Sequence, residues 1–398
     1  MSVNSEQHYL PLSDCGNLHL AHPTGDECVK ISTNTFALWG DSLELSEYLE
    51  ESLVLAAVPL AKDGGMTRWV LVDKRLAPNE RPLLCSCETF YKRSLASDSQ
   101  GKVKEAIIHG IASVFCPEEY RQRGYAARLM KELAGVLCTW QSGDSQAKVV
   151  GSVLYSDIGK VYYTKLGWPP NATNMHIEFP PISTPKPSSV RDIGEADLPE
   201  LCKRDEAIIR SAMATPTLDM QQRVVVVPDL DHMLWHIGKE DFATHHLFKK
   251  RARAKGAIAG PPGNQVWAIW THRYYGRHDA ESSNNVLYIL RLVVEGDPSA
   301  NQATSVDTKE LVSLSDDQVT YLEAVLQAAQ AEAAEWHLDR VKLWDPSSCV
   351  EKAIRNSNMS HAVVEREDDS IASVMWYNED DSVDTPPAWI NNEHYAWC

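Results

Sequence analysis

Hydrophobic positions in the first half of the chain switch between two spacings. Short runs rich in β-branched and aromatic residues are typical of strands, whereas apolar residues three or four positions apart indicate a helix. In chain order the pattern predicts strands at residues 69–72, 83–90 and 106–115, a long helix through Tyr125, Leu129, Leu133 and Val136, a strand at 148–154, a short helix at 158–166 and a strand at 175–179. Because strands and helices alternate, we expect a layered domain of the α/β (α+β) class.

The second half of the chain shows the same order of elements without repeating the letters. A strand at residues 286–294 precedes a long helix, which a Ser315-x-x-Gln318 capping box opens. A short strand at 341–344, a short helix at 348–355 and two further strands follow. The order therefore predicts a second copy of the first architecture.

A proline-rich segment separates the two halves. Residues 180–187 hold four prolines, which neither a helix interior nor a central strand accepts. We therefore predict two domains, at 1–185 and 186–398. A loop is also expected at 256–264, where glycine and proline concentrate.

The net charge of the chain argues against two classes of binding partner. The 398 residues include 38 Lys and Arg against 55 Asp and Glu, a formal charge of −17. Such a chain repels nucleic acid and anionic membranes at long range, so neither is an expected partner. The same charge suits a cationic or amine-bearing ligand.

Neither a secretion signal nor a membrane span is expected. The first ten residues lack the basic start and apolar centre of a signal peptide, and the apolar stretch at 53–61 is about half the length of a span. Nine cysteines are dispersed, and none has the C-x-x-C spacing of a zinc site. We expect a cytoplasmic protein with reduced thiols and no metal.

The strongest local signal lies at residues 114–126. A buried strand ends, a polar turn follows, and the long helix begins near Gly124. The first N–H groups of a helix lack internal partners and carry the positive end of its dipole, so a phosphate there accepts several hydrogen bonds. Arg121 and Arg123 add positive charge, and Ala126 leaves the helix start uncluttered. The segment indicates a pyrophosphate site, with an ordinary basic helix N-terminus as the alternative; its single glycine excludes the dinucleotide fingerprint.

This segment resembles the R/Q-x-x-G-x-G/A acyl-CoA signature of the GNAT superfamily of N-acetyltransferases. Residues 162–168 look like the F-Y-x-K-L-G-F ending of that family, in the expected strand–helix setting. The stretch at 154–163, followed by a second half and an aromatic C-terminus, is similar to fungal lysine N-acetyltransferase-like proteins. The resemblance implies a GNAT fold, a mixed and mostly antiparallel sheet flanked by helices, with a second GNAT-like C-terminal domain.

The resemblance also implies acetyl-CoA as co-substrate. In this superfamily the strand before the loop splays from its neighbour and binds the pantetheine arm as an extra strand would. The implied contacts are Val114, Phe115 and Cys116 on that strand and the main-chain N–H groups of Arg121, Gln122, Arg123, Gly124, Tyr125 and Ala126 on the pyrophosphate. In the second half, Glu295 and Asp297 stand where the loop would be, so that copy is expected to be degenerate and to bind no CoA.

Four residues are candidates for the chemistry. Tyr163 falls where many members carry the general acid that protonates the departing thiolate, although a core tyrosine on an amphipathic helix is an equal alternative. An alkylammonium acceptor has a pKa of about 10.5, so a base must first remove a proton. His109 and Glu88 are candidate bases; a half-buried strand histidine and an ammonium-binding carboxylate are the alternatives. The C-terminal carboxylate of Cys398 is a further candidate, because some multidomain members insert their C-terminus into the site.

The function implied is direct acetyl transfer from acetyl-CoA to a small-molecule amine, with free L-lysine as the first candidate. The alternative is a CoA-binding interaction or regulatory protein whose catalytic residues have lapsed. The sequence leaves the oligomeric state open.

Two further segments have plainer explanations. Asp41 or Ser42 is expected to cap the helix that carries Leu45 and Leu49. The basic run at 249–255 is expected to be a solvated face, with a nuclear signal or a patch for the 3′-phosphate of CoA as alternatives.

Overall fold

Two mixed sheets with helices packed on them make up the protein. The computed structural model describes residues 10–143, 147–216, 222–277, 283–296, 313–377 and 386–397. The strands are β1 (Leu18–Ala21), β2 (Met66–Asp73), β3 (Cys85–Ser97), β4 (Val103–Phe115), β5 (Lys148–Ser156), β6 (Met175–Phe179), β7 (Val190–Ile193), β8 (Arg223–Val226), β9 (Gly256–Ala259), β10 (Val266–Arg273), β11 (Val286–Val294), β12 (Arg340–Trp344), β13 (Ala362–Glu365), β14 (Ile371–Trp376) and β15 (Ala388–Trp389). The helices are α1 (Gly25–Trp39), α2 (Leu45–Ala56), α3 (Tyr125–Leu137), α4 (Val161–Thr164), α5 (Leu198–Met213), α6 (Leu230–Phe248), α7 (Asp316–Glu335) and α8 (Ser348–Asn356).

The first sheet has the strand order β1-β2-β3-β4-β5-β14, and β8 extends it along the far end of β3. Its described pairs are antiparallel apart from β4–β5 and β8–β15. Helix α3 covers one face and buries Leu129 and Leu133 completely, as their helical spacing predicts. The order of strands and helices predicted for the first half is confirmed.

The second sheet has the order β13-β6-β12-β11-β10-β9-β7. Among its described pairs β11–β12 alone is parallel, which matches the β4–β5 pair of the first sheet. Helix α7 follows β11 and buries Leu322 and Leu326 against this sheet, and α8 follows β12. The predicted second copy of the architecture is therefore confirmed, as is the mixed, mostly antiparallel fold class.

The two halves exchange strands. The outer edge of β5 pairs with β14 from the second half, with Tyr155 opposite Ala372. In return, β6 from the first half lies between β12 and β13, with Ile177 opposite both Leu343 and Val363. Each sheet thus contains a strand from the other half of the chain, and the division into domains at residue 185 stays a prediction.

A shared hydrophobic core lies between the two sheets. Ile108 and Val153 from the first sheet pack in one cluster with Trp267 and Ile269 from the second. Tyr395, near the end of the described chain, is fully buried in the same cluster, and its hydroxyl donates to the carbonyl of Val226 at 2.6 Å. The halves therefore pack as one body.

Two elements differ from the sequence prediction. Strand β3 runs seven residues beyond 90 because its polar positions find partners: Arg93, for example, pairs with Glu206 of α5 at 3.1 Å. The prediction of a loop at 256–264 is wrong for its first four residues, which form β9 and pair with β10. A Cβ on Gly256 would lie 2.2 Å from the carbonyl oxygen of Ala268, so this glycine permits a close strand approach rather than a turn.

Candidate functional site

Strands β4 and β5 separate at one end. Their parallel pairing stops at Ile111 opposite Leu154, whereas β4 continues to Phe115 and β5 to Ser156. A bulge at Ser113, with a φ of 53°, lies in the same stretch of β4. Along the described chain, residues 112–115 have no partner strand on the β5 side. This opening, the first splay, leaves backbone groups available to an extended ligand.

The loop after β4 leads into an uncapped helix N-terminus. Gln122 and Gly124 adopt left-handed conformations, with φ of 61° and 83°, and Gly124 is the N-cap residue of α3. Within the described ranges, the backbone N–H groups of residues 122–127 make no hydrogen bond, no side chain caps the helix, and its first turn holds no acid. Such a turn of free N–H groups at the positive end of a helix binds anions.

The surroundings hold this loop in place while leaving it open. Arg121, Gln122, Arg123 and Gly124 are exposed, and the Arg121 side chain donates to the carbonyl of Cys116 at 3.1 Å. The buried Tyr125 side chain donates to the carbonyl of Pro11. The predicted contacts at 114–126 thus lie together, at the first splay.

Tyr163 lies on the face of the first sheet that α3 covers. It is 8% exposed and packs in a cluster with Cys85, Cys87 and Tyr125. Burial, followed by the nearby Tyr162 and cysteine groups, raises the pKa of the Tyr163 phenol above its ordinary value, so the proton stays on oxygen at neutral pH. In the described part of the chain its hydroxyl makes no hydrogen bond.

Glu88 lies on the opposite face of the same sheet. It stands opposite Ala112, at the start of the splayed stretch, and its two carboxylate oxygens accept from Arg68 at 2.9 Å and from Ser113 at 3.2 Å. Ala112 packs with the cluster of Phe90, which includes side chains of α2 and α6. The carboxylate is therefore beside the splay, on the side away from Tyr163.

His109 is placed differently. It is fully buried within the paired part of β4, opposite Ser152, and its Nε2 lies 3.0 Å from the carbonyl of Trp140, beyond α3. Burial lowers its pKa to about 4, so the imidazole is neutral at neutral pH. The structure does not bring His109 to the splay with Glu88. Cys398 lies outside the described residues.

A cluster of charged side chains lies where α2 and the loop before it meet the second half of the chain. Asp41 pairs with Arg273 at 2.6 Å, and Glu51 pairs with Lys239 at 2.6 Å. Burial raises the pKa of Glu51 to about 8. We call the group of Asp41, Glu51, Lys239, Arg273 and Tyr275 the polar cluster. The prediction that Asp41 or Ser42 caps α2 is wrong, because Glu44 is the N-cap residue.

The polar cluster adjoins the first splay. Trp39, two residues before Asp41, packs edge-on against Phe115 of β4 with ring centroids 6.1 Å apart. Trp397 lies under the Arg273 guanidinium at 5.8 Å and packs in one hydrophobic cluster with Tyr155 of β5. Both strands of the splay therefore contact aromatic residues beside the polar cluster. Sequence reasoning missed these residues because Asp41 and Arg273 belong to different halves of the chain and carry no common motif.

The equivalent opening in the second half, the second splay, is filled. Strands β11 and β12 part after Ile289 and Leu343. The backbone N–H of Leu292 donates to Glu393 at 2.9 Å, and Glu393 also pairs with Arg291. Residues 388–397, the C-terminal segment, thus occupy the place that the first splay leaves open.

The start of α7 is also closed to anions. Ser315 and Gln318 form the predicted capping box, and Asp316 and Asp317 occupy the first turn. Glu295 is buried, pairs with Arg204 and accepts from two backbone N–H groups; Asp297 lies outside the described residues. The start of α7 therefore differs from the open start of α3, and the expectation that the second copy binds no CoA stays a prediction.

The basic run at 249–255 is not a uniform patch. Lys255 is buried and pairs with Glu240 and Asp241 of α6, while Lys250 lies over Trp336 at 5.2 Å. In the described ranges no group of three His, Cys, Asp or Glu side chains is arranged to hold a metal ion. None of the helices described is both long and apolar enough to cross a membrane.

Comparisons with known proteins agree with this architecture. A lysine acetyltransferase of Yarrowia lipolytica is 24% identical over 280 residues, which cover 60% of this chain and 68% of that protein. The crystal structure of Saccharomyces cerevisiae N-myristoyltransferase with bound myristoyl-CoA matches with a TM-score of 0.51 at 9% identity, covering 93% of this chain and 81% of the other.

A GCN5-related N-acetyltransferase from Kribbella flavida matches with a TM-score of 0.47 at 15% identity, covering 90% of this chain and 71% of the other. The family described as the LYC1 GNAT-like C-terminal domain matches residues 176–398, more than half of the sequence. The chain is therefore a member of the LYC1-like family of GNAT proteins, as the stretch at 154–163, the second half and the aromatic C-terminus suggested.

Proposed function

We propose that this protein is an N-acetyltransferase that moves acetyl from acetyl-CoA directly to a small-molecule amine, with L-lysine as the first candidate acceptor. The observation that carries the proposal is the open N-terminus of α3 at the end of the first splay, with Tyr163 on one side and Glu88 on the other. The similarity to a lysine acetyltransferase supports the choice of acceptor.

Acetyl-CoA would bind along the first splay. The N–H groups of residues 122–127 would hold its pyrophosphate, and the unpaired edge of residues 112–115 would hold the pantetheine arm. The structural similarity to a protein with bound myristoyl-CoA supports an acyl-CoA in this fold. The similarity does not extend to the choice of acyl chain.

The chain's own groups would then move two protons. Glu88, directly or through a water, would take the proton that the acceptor amine loses as its nitrogen bonds to the acetyl carbon. As the carbon–sulfur bond breaks, the Tyr163 hydroxyl would give its proton to the leaving sulfur. The high pKa of Tyr163 keeps that proton available at neutral pH. His109 keeps its place as a predicted base, but its burial away from the splay favours Glu88.

Thiol release from acetyl-CoA across a panel of amines, including L-lysine, tests the proposal. We expect turnover with an amine acceptor, and loss of CoA binding in Gly124→Glu, which puts a carboxylate into the ring of N–H groups. A Cβ at this position would also lie 2.8 Å from Ser13 Oγ at a φ of 83°, so a melting curve must show that the variant folds. Intact activity in folded Gly124→Glu would overturn the loop assignment.

The same assay separates the alternative function. Tight binding of acetyl-CoA without thiol release on any amine would support a CoA-binding regulatory protein. Turnover with an amine other than lysine would keep the acetyltransferase and discard lysine. Retention of the wild-type protein in the cytosolic fraction of its host would test the expected cytoplasmic location.

A further inference from the structure

Two free thiols face each other where β3 begins and β4 ends. Ser86 stands opposite Phe115, so one further step along the two antiparallel strands puts Cys85 opposite Cys116. Residues directly opposite in such a pair have Cα atoms about 4.5–5.5 Å apart. A disulfide spans Cα separations of about 4.4–6.8 Å, so the two strands already have the spacing that a disulfide requires.

The two side chains lie on the same face of the first sheet. The Sγ of Cys116 donates to the carbonyl of Leu84, the residue before Cys85, at 3.4 Å. Both cysteines pack in the cluster beneath α3 that also contains Tyr163. The Cys116 thiol therefore reaches across to β3 on the side where the Cys85 thiol lies.

The two sulfurs differ in their access to solvent. Cys85 is 1% exposed, whereas Cys116 is half-buried and directly follows the unpaired edge of residues 112–115 at the first splay. An oxidant in solution therefore reaches Cys116 first, and Cys85 lies behind it as a sheltered partner. An accessible thiol with a second thiol in reach is the usual arrangement of a redox-sensitive pair.

The surroundings favour ionisation of the outer thiol. Hydrogen bonding with Cys85 lowers the pKa of Cys116, and the positive charge of Arg121 lowers it further, against partial burial and the negative charge of Glu119. A hydrogen bond of 3.1 Å from Arg121 Nε to the Cys116 carbonyl keeps this charge close. The same thiol contact, together with burial, raises the pKa of Cys85. Since the thiolate is the nucleophile, Cys116 is the sulfur that attacks an oxidant.

We propose that Cys85 and Cys116 form a reversible disulfide, a redox modification site at the end of the first splay, with hydrogen peroxide as the oxidant. The Cys116 thiolate attacks one peroxide oxygen and becomes a sulfenic acid as hydroxide departs. The Cys85 sulfur then bonds to the Cys116 sulfur, and the sulfenic hydroxyl leaves as water with the Cys85 proton. The two sulfurs together give two electrons to the peroxide, and a small thiol such as glutathione returns them by exchange.

The site adjoins the proposed cofactor path without depending on it. A bond from Cys116 to Cys85 fastens the end of β4 to β3, directly before the loop at residues 117–124. Transient disulfides of this kind are the ones found in compartments that keep other thiols reduced. The modification therefore places a redox-controlled link next to the open N–H groups of α3.

Peptide mapping of the wild-type protein gives the first test. After brief treatment with hydrogen peroxide and alkylation of the remaining thiols, mass spectrometry without reduction should find Cys85 linked to Cys116, and dithiothreitol should restore both thiols. We expect Cys116 to lose its thiol at least about tenfold faster than Cys138, an exposed cysteine at the end of α3. A link from Cys116 to Cys15 or Cys87, or a reduced pair after Cys138 has been oxidised, would overturn the proposal.

Two single variants give the second test. Cys116→Ser removes the sulfur that attacks the peroxide, so the buried Cys85 should keep its thiol through the same treatment. Cys138→Ser is the matched control and should leave the yield of the disulfide unchanged. Loss of the Cys85 thiol at the wild-type rate in Cys116→Ser would overturn the proposed order of oxidation. If Cys116→Ser does not fold, the map of the wild-type protein decides alone.

Acetyl-CoA added before the peroxide keeps this proposal apart from the proposed function. A cofactor that lies along residues 112–116 covers the Cys116 thiol, so we expect saturating acetyl-CoA to slow disulfide formation. A disulfide between Cys85 and Cys116 that forms at the same rate with and without bound acetyl-CoA would support the modification site and overturn the placement of the cofactor. If neither condition yields this disulfide, the modification site is wrong and the acetyltransferase is unaffected.

Discussion

The two splays have the same architecture and opposite contents. In the first, α3 begins without a capping side chain or an acid, and the edge of β4 is unpaired beyond Ile111. In the second, α7 begins with a capping box and two aspartates, and the Glu393 carboxylate accepts a hydrogen bond from the backbone N–H of Leu292. The same arrangement of a parallel strand pair and a helix therefore presents free N–H groups in one half of the chain and satisfied ones in the other. We expect a cofactor to bind only where these N–H groups are free.

The filled splay is connected to the polar cluster. Its C-terminal segment carries Trp397 to Arg273, which is the last residue of β10. The open splay reaches the same cluster through the contact between Trp39 and Phe115. The comparison leads to five expectations, in order of decreasing effect.

The largest expected effect is the loss of CoA affinity when a negative charge is placed at the start of α3 instead of the start of α7. Ala126→Glu puts a carboxylate at the second residue of α3, where repulsion of the pyrophosphate at short range costs about 4 kcal/mol, or nearly three orders of magnitude in Kd. Calorimetric titration with CoA measures the loss. Thr320→Glu adds the same charge near the start of α7 and is the control; a comparable loss of affinity there would place a CoA site in the second half.

Removing the carboxylate that fills the second splay should destabilise the protein. Glu393→Ala leaves Arg291 with Asp205 alone and orphans the N–H of Leu292, at a cost of about 3 kcal/mol in the free energy of unfolding. Urea denaturation measures it. Glu367→Ala, which breaks an exposed pair with Lys160, should change stability by less than about 1 kcal/mol; equal effects would mean that Glu393 does not hold the segment in place.

Stability should also depend on pH through Glu393. Burial raises its pKa from 4.5 to about 7, so between these values the folded chain binds a proton that the unfolded chain does not. Its contribution to stability is therefore complete below about pH 4.5 and is lost as the pH rises through about 7. Glu393→Gln should flatten the slope of unfolding free energy between pH 5 and 7, and an unchanged slope would assign that pH dependence to other groups.

Loss of the Tyr163 hydroxyl should lower the catalytic rate without changing the affinity for CoA. α8, the counterpart of α4 in the second half, has no tyrosine. Tyr163→Phe should lower kcat by about 100-fold and leave the Kd for CoA unchanged, because its hydroxyl has no hydrogen-bond partner among the described residues. Tyr162→Phe is the control, and an equal loss in that variant would move the acid to Tyr162.

Removal of the capping box of α7 should have the smallest of the five effects, a modest loss of stability. Ser315→Ala removes the side chain that accepts from the N–H of Gln318, and we expect a loss of about 1 kcal/mol in unfolding free energy. CoA affinity should not change. Ser313→Ala, an exposed serine just before α7, should have no effect on either measurement, and a change in CoA affinity in Ser315→Ala alone would contradict the separation of the two splays.

The loop at residues 121–126 could be predicted from the sequence because its determinants are contiguous. Gly124 and the two arginines before it make a local motif, and the strand before and the helix after it follow their own periodicity. The second copy of the architecture could be predicted for the same reason, because the local spacing of hydrophobic residues indicates β11, α7 and β12 one by one.

The polar cluster could not be predicted, because its residues meet only through the tertiary fold. Arg273 ends an apolar strand in the second half. Asp41 follows a helix in the first half, where capping of the next helix was a sufficient explanation for it. The filling of the second splay has the same origin. Glu393 reaches Leu292 by a chain path that crosses both sheets, and no local pattern marks it.

The exchange of β6 and β14 has a consequence for how the chain is made. On the ribosome, β5 is synthesised long before β14. The outer edge of β5 is therefore unpaired until β14 has been made. An exposed strand edge is a template for pairing with another chain. We therefore expect the nascent first half, and a fragment that ends near residue 185, to be bound by chaperones that cover an exposed strand edge.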